Sequence, residues 1–212
     1  MSNEKNIGKT DRNKIIASNS HKTLLKDLEI IIGKPVEPFI NKEIYLLVDC
    51  SSSMGSDNKF QNAKIGGIGY AEEAIKKGYS VGIIQFGTDA EVVIESSANL
   101  NQVCQAINKL MIDGSTNMEA GIKLAILKLS KAKERDICIF TDGQPDNVEN
   151  TLDAATSAKQ KGIRIMCIGT EDSDKSFIDK LVTRVEYSVK VQSKEIVKGI
   201  TNMSRLLPGA EI

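Results

Sequence analysis

Apolar and polar residues change rhythm several times along this chain, and each rhythm predicts an element. Up to about residue 19 there is no apolar period, so residues 1–19 read as a flexible tail. Leu24, Leu25, Leu28, Ile31 and Ile32 then recur at helical spacing, with Gly33 and Pro35 as stop signals, which predicts a helical extension over 20–42. From Glu43 the run EIYLLVD is apolar without interruption up to Asp49, as in a parallel strand covered on both faces. The stretch from Asp57 to Lys77, closed by Gly78, reads as a helix with Phe60, Ala63, Gly67, Ala71 and Ala74 on one side. Its glycines Gly66, Gly67 and Gly69 each cost about 1 kcal/mol relative to alanine, a cost suited to a helix lying close to a sheet.

Residues 80–86 and 90–95 form two apolar runs around Gly87-Thr88-Asp89, a hairpin signal. Helical periods follow at Leu100 to Leu110 and Met118 to Leu129, then a buried strand over 136–142 and a helix over 148–160. A strand over 163–169, a short helix near 174–181, a strand near 185–191 and a last helix from Ile196 to Leu206 complete the pattern. Strands alternating with helices predict an α/β fold: a Rossmann-like, doubly wound, mostly parallel sheet with one antiparallel edge strand and helices on both faces. The domain is expected over 43–207, with a C-terminal tail over 208–212.

Composition narrows the function classes. Among 212 residues, 28 basic side chains balance 28 acidic ones, so no global field draws the chain to nucleic acid or to a membrane surface. Aromatics are 4% and tryptophan is absent, which argues against base-stacking platforms. No apolar run reaches the roughly 20 residues that span a bilayer, and the polar N-terminus lacks the apolar core of a secretory signal. Cys50, Cys104, Cys138 and Cys167 are scattered and mostly in apolar stretches. They read as free thiols rather than a disulfide framework or a zinc site, and imply a cytoplasmic location. Cys50, beside a polar loop, is expected to be the more accessible thiol.

The polar loop is where chemistry enters. Asp49 ends the first strand and is followed by Ser51, Ser52 and Ser53; Asp142 ends the strand ICIFT and is followed by Gly143. In an open α/β sheet, ligands bind outside the carboxyl ends of the strands, so neighbouring strands would aim both carboxylates into one crevice. Ser115 and Thr116, in the loop DGSTN before the third helix, could enter it too. Two carboxylates and several hydroxyls, without histidine or thiolate, select a hard cation: Mg²⁺, Mn²⁺ or Ca²⁺.

These three segments resemble the metal-ion-dependent adhesion site of the von Willebrand factor A (VWA) domains, a family that includes integrin I domains. The family pattern D-x-S-x-S matches Asp49-Cys50-Ser51-Ser52-Ser53, its threonine loop matches Gly114-Ser115-Thr116-Asn117, and its third segment matches Thr141-Asp142-Gly143. Ser52 stands where many relatives have glycine. The resemblance covers about Glu43 to Leu206. It implies a Mg²⁺ or Mn²⁺ ion held by the hydroxyls of Ser51, Ser53 and Thr116 and by Asp49 and Asp142, directly or through water. One coordination position would stay open for an Asp or Glu of a protein partner. It implies a non-catalytic adaptor, of a kind that often accompanies AAA+ ATPases of the MoxR or chelatase type, or stress and tellurium-resistance systems.

Other readings of the same residues stand beside this one. Asp49 and the serines suit helix capping, although Ser56 or Asp57 fits that role at the next helix, and Asp142 suits a turn in DGQP. A scaffold subunit with an idle metal site is the alternative within the family. A metal-dependent hydrolase lacks a base, since His21 is the only histidine and lies in the extension. Gly8-Lys9-Thr10 ends like a phosphate-binding loop, but no strand precedes it.

Overall fold

The computed structural model describes residues 41–209; the tail over 1–19, the expected helix over 20–33 and His21 lie outside them. Six strands form one sheet: β1 (Lys42–Asp49), β2 (Tyr79–Phe86), β3 (Ala90–Ser97), β4 (Glu134–Thr141), β5 (Arg164–Thr170) and β6 (Ser188–Val191). Their order is β3-β2-β1-β4-β5-β6, with β3 antiparallel to β2 and every other pair parallel. Among the described residues six α-helices accompany them: α1 (Lys59–Lys76), α2 (Leu100–Lys109), α3 (Met118–Lys128), α4 (Val148–Gln160), α5 (Lys175–Leu181) and α6 (Ile196–Met203). Among the described residues no helix is long and apolar enough to cross a membrane.

The continuous apolar runs are explained by two separate cores. Side chains alternate across a strand, so Ile44, Leu46 and Val48 of β1 join α1, α2 and α6 on one face. Tyr45 and Leu47 join α3, α4 and α5 on the other. Full burial of each such Leu or Ile is worth about 1.5–3 kcal/mol, so both faces anchor β1. Because β1 lies between β2 and β4, the chain leaves it in opposite directions on its two sides. The crevice of a doubly wound sheet opens at such a point, above Asp49 and Thr141.

Four details depart from the sequence reading. Helix α1 begins at Lys59, after Asp57 and Asn58 in the left-handed region (φ 51° and 56°), and no side chain caps it; neither Ser56 nor Asp57 takes that role. Residues 185–187 form a 3-10 turn, and β6 starts only at Ser188. The glycines of α1 serve mainly a helix, not the sheet: a Cβ on Gly66 would sit 2.9 Å from Ile200, and one on Gly69 2.9 Å from the Thr201 hydroxyl, both in α6. Only Gly67 faces Phe140 of the sheet. Finally, Cys50 is fully buried, like Cys138 and Cys167, and the half-exposed thiol is Cys104. Cys50 points into the core because it extends the β1–β2 ladder by one residue, its N–H donating to the Phe86 carbonyl (2.8 Å), and so falls on the face of Leu46 and Val48.

Candidate metal centre

Asp49 is wholly buried at the end of β1. One of its oxygens accepts the backbone N–H of Ser51 (2.9 Å) and the other accepts the Thr141 hydroxyl (2.6 Å). The second contact follows from register: Val48 pairs with Phe140, which brings Thr141 alongside Asp49. Burial pushes the Asp49 carboxyl up, against the hydrogen bonds from Ser51 and Thr141 that favour its ionised form. A cation at this end of the strand would relieve that burial cost.

A chain of polar contacts leads from there to Asp142. The Ser51 and Ser53 hydroxyls lie 3.0 Å apart, and Ser53 Oγ donates to Asp142 Oδ1 at 2.7 Å. Asp142 and Ser51 are each 2% exposed, whereas Ser53 faces solvent. Four of the five sequence-predicted residues, Asp49, Ser51, Ser53 and Asp142, therefore converge at the carboxyl ends of β1 and β4.

Thr116 stands next to this group rather than within its hydrogen bonds. Its loop is tied to the serine loop by Asp113 N–H donating to the Cys50 carbonyl (2.6 Å) and Ser52 N–H donating to the Gly114 carbonyl (3.0 Å). Behind the loop, a Cβ on Gly87 would fall 2.1 Å from the Asp113 carbonyl oxygen, so glycine is required for this approach. The Thr116 backbone is held at both ends by Asp146, whose carboxylate accepts its N–H (3.0 Å) and whose own N–H donates to its carbonyl (3.1 Å). Its half-exposed hydroxyl makes no hydrogen bond to the other four residues, and Ser115 is exposed.

The structure adds Lys59, which sequence reasoning passed over. Its ammonium lies 3.0 Å from Asp142 Oδ2 and 2.7 Å from Asp172, in the loop after β5, and its side chain is 5% exposed. Burial pulls the ammonium down, but the hydrogen bonds and charges of Asp172 and Asp142 outweigh it and hold Lys59 above its ordinary value. A signal existed: a lysine opening a helix opposes the helix dipole, which prefers anions at that end.

Can these residues hold a divalent ion? Among the described residues there is no group of three or more His, Cys, Asp or Glu side chains suited to a metal. A site here rests on two carboxylates completed by hydroxyls. Such an oxygen-only set fits a hard cation, and the Ser51 and Ser53 hydroxyls can turn their lone pairs outward when a cation replaces their present contacts. A surface cleft of about 420 Å³, lined by Val189, Val191, Lys198 and Met203 among others, shares no residue with this centre.

Comparison with known proteins agrees with the fold. The family model described as von Willebrand factor type A domain matches residues 43–202. The chain is similar to the corresponding domain of the type V pili tip protein Mfa5 from Porphyromonas gingivalis, with a TM-score of 0.71 at 12% identity over 80% of this chain and 95% of that one. It is similar to proximal thread matrix protein 1 of the mussel byssus, in a structure described as having a zinc-occupied MIDAS motif (TM-score 0.71, 19% identity, 81% of this chain and 47% of that one). A third is the pilus adhesin SpaC from Lactobacillus rhamnosus GG (TM-score 0.69, 15% identity, 78% and 30%). The chain thus spans less than half the length of the mussel protein and under a third of the adhesin. At these identities the likeness is one of fold. A search of curated proteins finds no match.

Proposed function

Since the chain belongs to the von Willebrand factor type A domain family, we propose that it is a protein-interaction module that grips a partner's Asp or Glu through a divalent cation, Mg²⁺ or Mn²⁺. The carrying observation is the Ser53 hydroxyl, which joins Ser51 (3.0 Å) to Asp142 (2.7 Å) across the ends of two neighbouring strands. Asp49, Ser51, Ser53 and Asp142 would hold the ion, with Thr116 added from its tethered loop. The ion would supply a Lewis-acidic charge that water or a carboxylate can complete. The adhesin and the two matrix and pilus relatives are consistent with an interaction role, and the zinc-occupied motif of the mussel protein with a divalent ion. The partner we propose is an intracellular assembly, such as an AAA+ ATPase or a stress or tellurium-resistance system. Free thiols, three of them buried, support a reducing, cytoplasmic setting. The module itself carries out no catalysis in this reading.

A second reading is favoured by one contact. Lys59 already gives Asp142 a buried counter-charge, so the fold supplies that carboxylate with a partner without metal. A scaffold with an idle site would look the same.

Pull-down from native lysate with and without EDTA separates the two. In the coordination reading, EDTA abolishes capture and excess Mg²⁺ restores it. Thr116→Ala, which removes a half-exposed hydroxyl and makes no core cavity, lowers affinity by about ten- to a hundredfold, the equivalent of about 1.5–3 kcal/mol for a contact to a charged group. Identical partners in every arm would leave the scaffold reading standing.

A further inference from the structure

Lys59 has a consequence for the metal centre that its neighbours do not share. Both oxygens of Asp142 are occupied: Oδ1 by the Ser53 hydroxyl and Oδ2 by the Lys59 ammonium. The two contacts are not equivalent. The Ser53 hydroxyl can rotate and become a ligand beside Asp142. An ammonium has no lone pair to offer and stays a positive charge. It is also held in place, because its stem is buried and Asp172 grips it from the solvent side at 2.7 Å.

Lys59 sets a buried ammonium 3.0 Å from a carboxylate that would hold the cation. Asp172 is 62% exposed, and water screens it. A divalent cation beside Asp142 would therefore share that carboxylate with a fixed positive charge already in contact with it. Such a site attracts the cation weakly and an external carboxylate strongly.

We propose that Lys59 is a resident counter-charge that makes metal binding conditional on a partner carboxylate: it weakens the hold on the cation alone and strengthens the hold of the filled site on a carboxylate. This rests on the metal-centre reading above. Binding free energies couple reciprocally, so the carboxylate tightens the cation by the same factor that the cation tightens the carboxylate.

The test is Mn²⁺ titration followed by water-proton relaxation, in the wild type, Lys59→Met, Lys59→Gln and Asp49→Ala. Methionine keeps much of the buried stem, and glutamine keeps a hydrogen-bond donor; neither carries charge. Both are expected to bind Mn²⁺ about 10- to 100-fold more tightly than the wild type, the usual scale for coupling between close charges. Acetate added to Mn²⁺-loaded protein displaces bound water and lowers the relaxation rate. It is expected to act at severalfold lower concentration in the wild type than in Lys59→Gln. A thermal melt gives an independent reading: Mg²⁺ is expected to raise the melting temperature of Lys59→Gln more than that of the wild type. If Lys59→Met proves unfolded even in Mg²⁺, Lys59→Gln decides. Wild-type binding that Asp49→Ala abolishes, with no tightening in the Lys59 variants, overturns the role of Lys59 and leaves the metal centre intact. An unchanged acetate response overturns the carboxylate half. No Mn²⁺ binding in any of the four overturns the metal centre and this inference together.

Discussion

One hydroxyl, that of Ser53, and one ammonium, that of Lys59, divide the oxygens of Asp142 between them. Losing either one would leave an Asp142 oxygen without its present partner. The same scale decides the cysteines. Burial, with the nearby Asp49 charge, pushes the Cys50 thiol up to about 12, so its thiolate is scarce at neutral pH as well as shielded. Alkylation of the native protein at pH 8 is expected to modify Cys104 first and to leave Cys50, Cys138 and Cys167 unmodified until the chain is denatured. Mass spectrometry of the labelled peptides checks this; early labelling of Cys50 would mean that the serine loop opens. The two aspartates and the serines were legible in the sequence because their spacing and their place at strand ends are local facts. Lys59 was not, because its partners lie 83 and 113 residues away and only the folded sheet brings them near. Thr116 was legible as a loop residue, whereas its separation from the hydrogen bonds of the other four residues is a matter of loop geometry that no spacing encodes.

At the scale of elements, helix α1 is gripped between the sheet and α6, and its glycines report which contact is tight. A methyl at Gly66 would meet Ile200 at 2.9 Å and the Val197 Cα at 3.2 Å. Overpacking of this kind costs about 1–3 kcal/mol, against a gain of about 1 kcal/mol in helix propensity. A methyl at Gly67 would meet Ile107 and Phe140 at 3.7 and 3.8 Å, an ordinary contact. Gly66→Ala is thus expected to lower the denaturation midpoint and Gly67→Ala to leave it unchanged or raise it, as measured by urea unfolding. The opposite ranking would show that α6 yields easily. The apolar runs made the strands legible, because strands buried on both faces need side chains that suit either core. The start of α1 was misread because Asp57 and Asn58 spend two left-handed residues turning the chain, which places Lys59 at the site instead of a capping side chain.

Across the whole molecule, the sheet has a polar end opposite the candidate metal centre. Asp136, wholly buried in β4, pairs with Arg164 of β5 through both carboxylate oxygens, one at 2.8 Å, and Tyr79 joins them. Burial outweighs the arginine and holds the Asp136 carboxyl above its ordinary value. The pair is therefore costly to break but of little net worth. Arg164→Met is expected to destabilise by about 3–5 kcal/mol, and Asp136→Leu combined with Arg164→Met to recover most of that loss. A double-mutant cycle in urea measures it; equal losses in the single and double variants would refute it.

The crevice above β1 draws on residues that are remote in the chain. Thr141 reaches Asp49 across 92 residues and Asp172 reaches Lys59 across 113. Closing loops of that length is slow, because their entropy must be surrendered before any contact rewards it. During synthesis, the serine loop emerges long before the strands that complete it. In the metal-binding function proposed above, a cation would therefore bind only a chain whose β4 and β5 have already docked, and would act as an inspector of finished molecules rather than a helper of unfinished ones. Refolding from urea is expected to proceed at the same rate with and without Mg²⁺, while unfolding slows when Mg²⁺ is present.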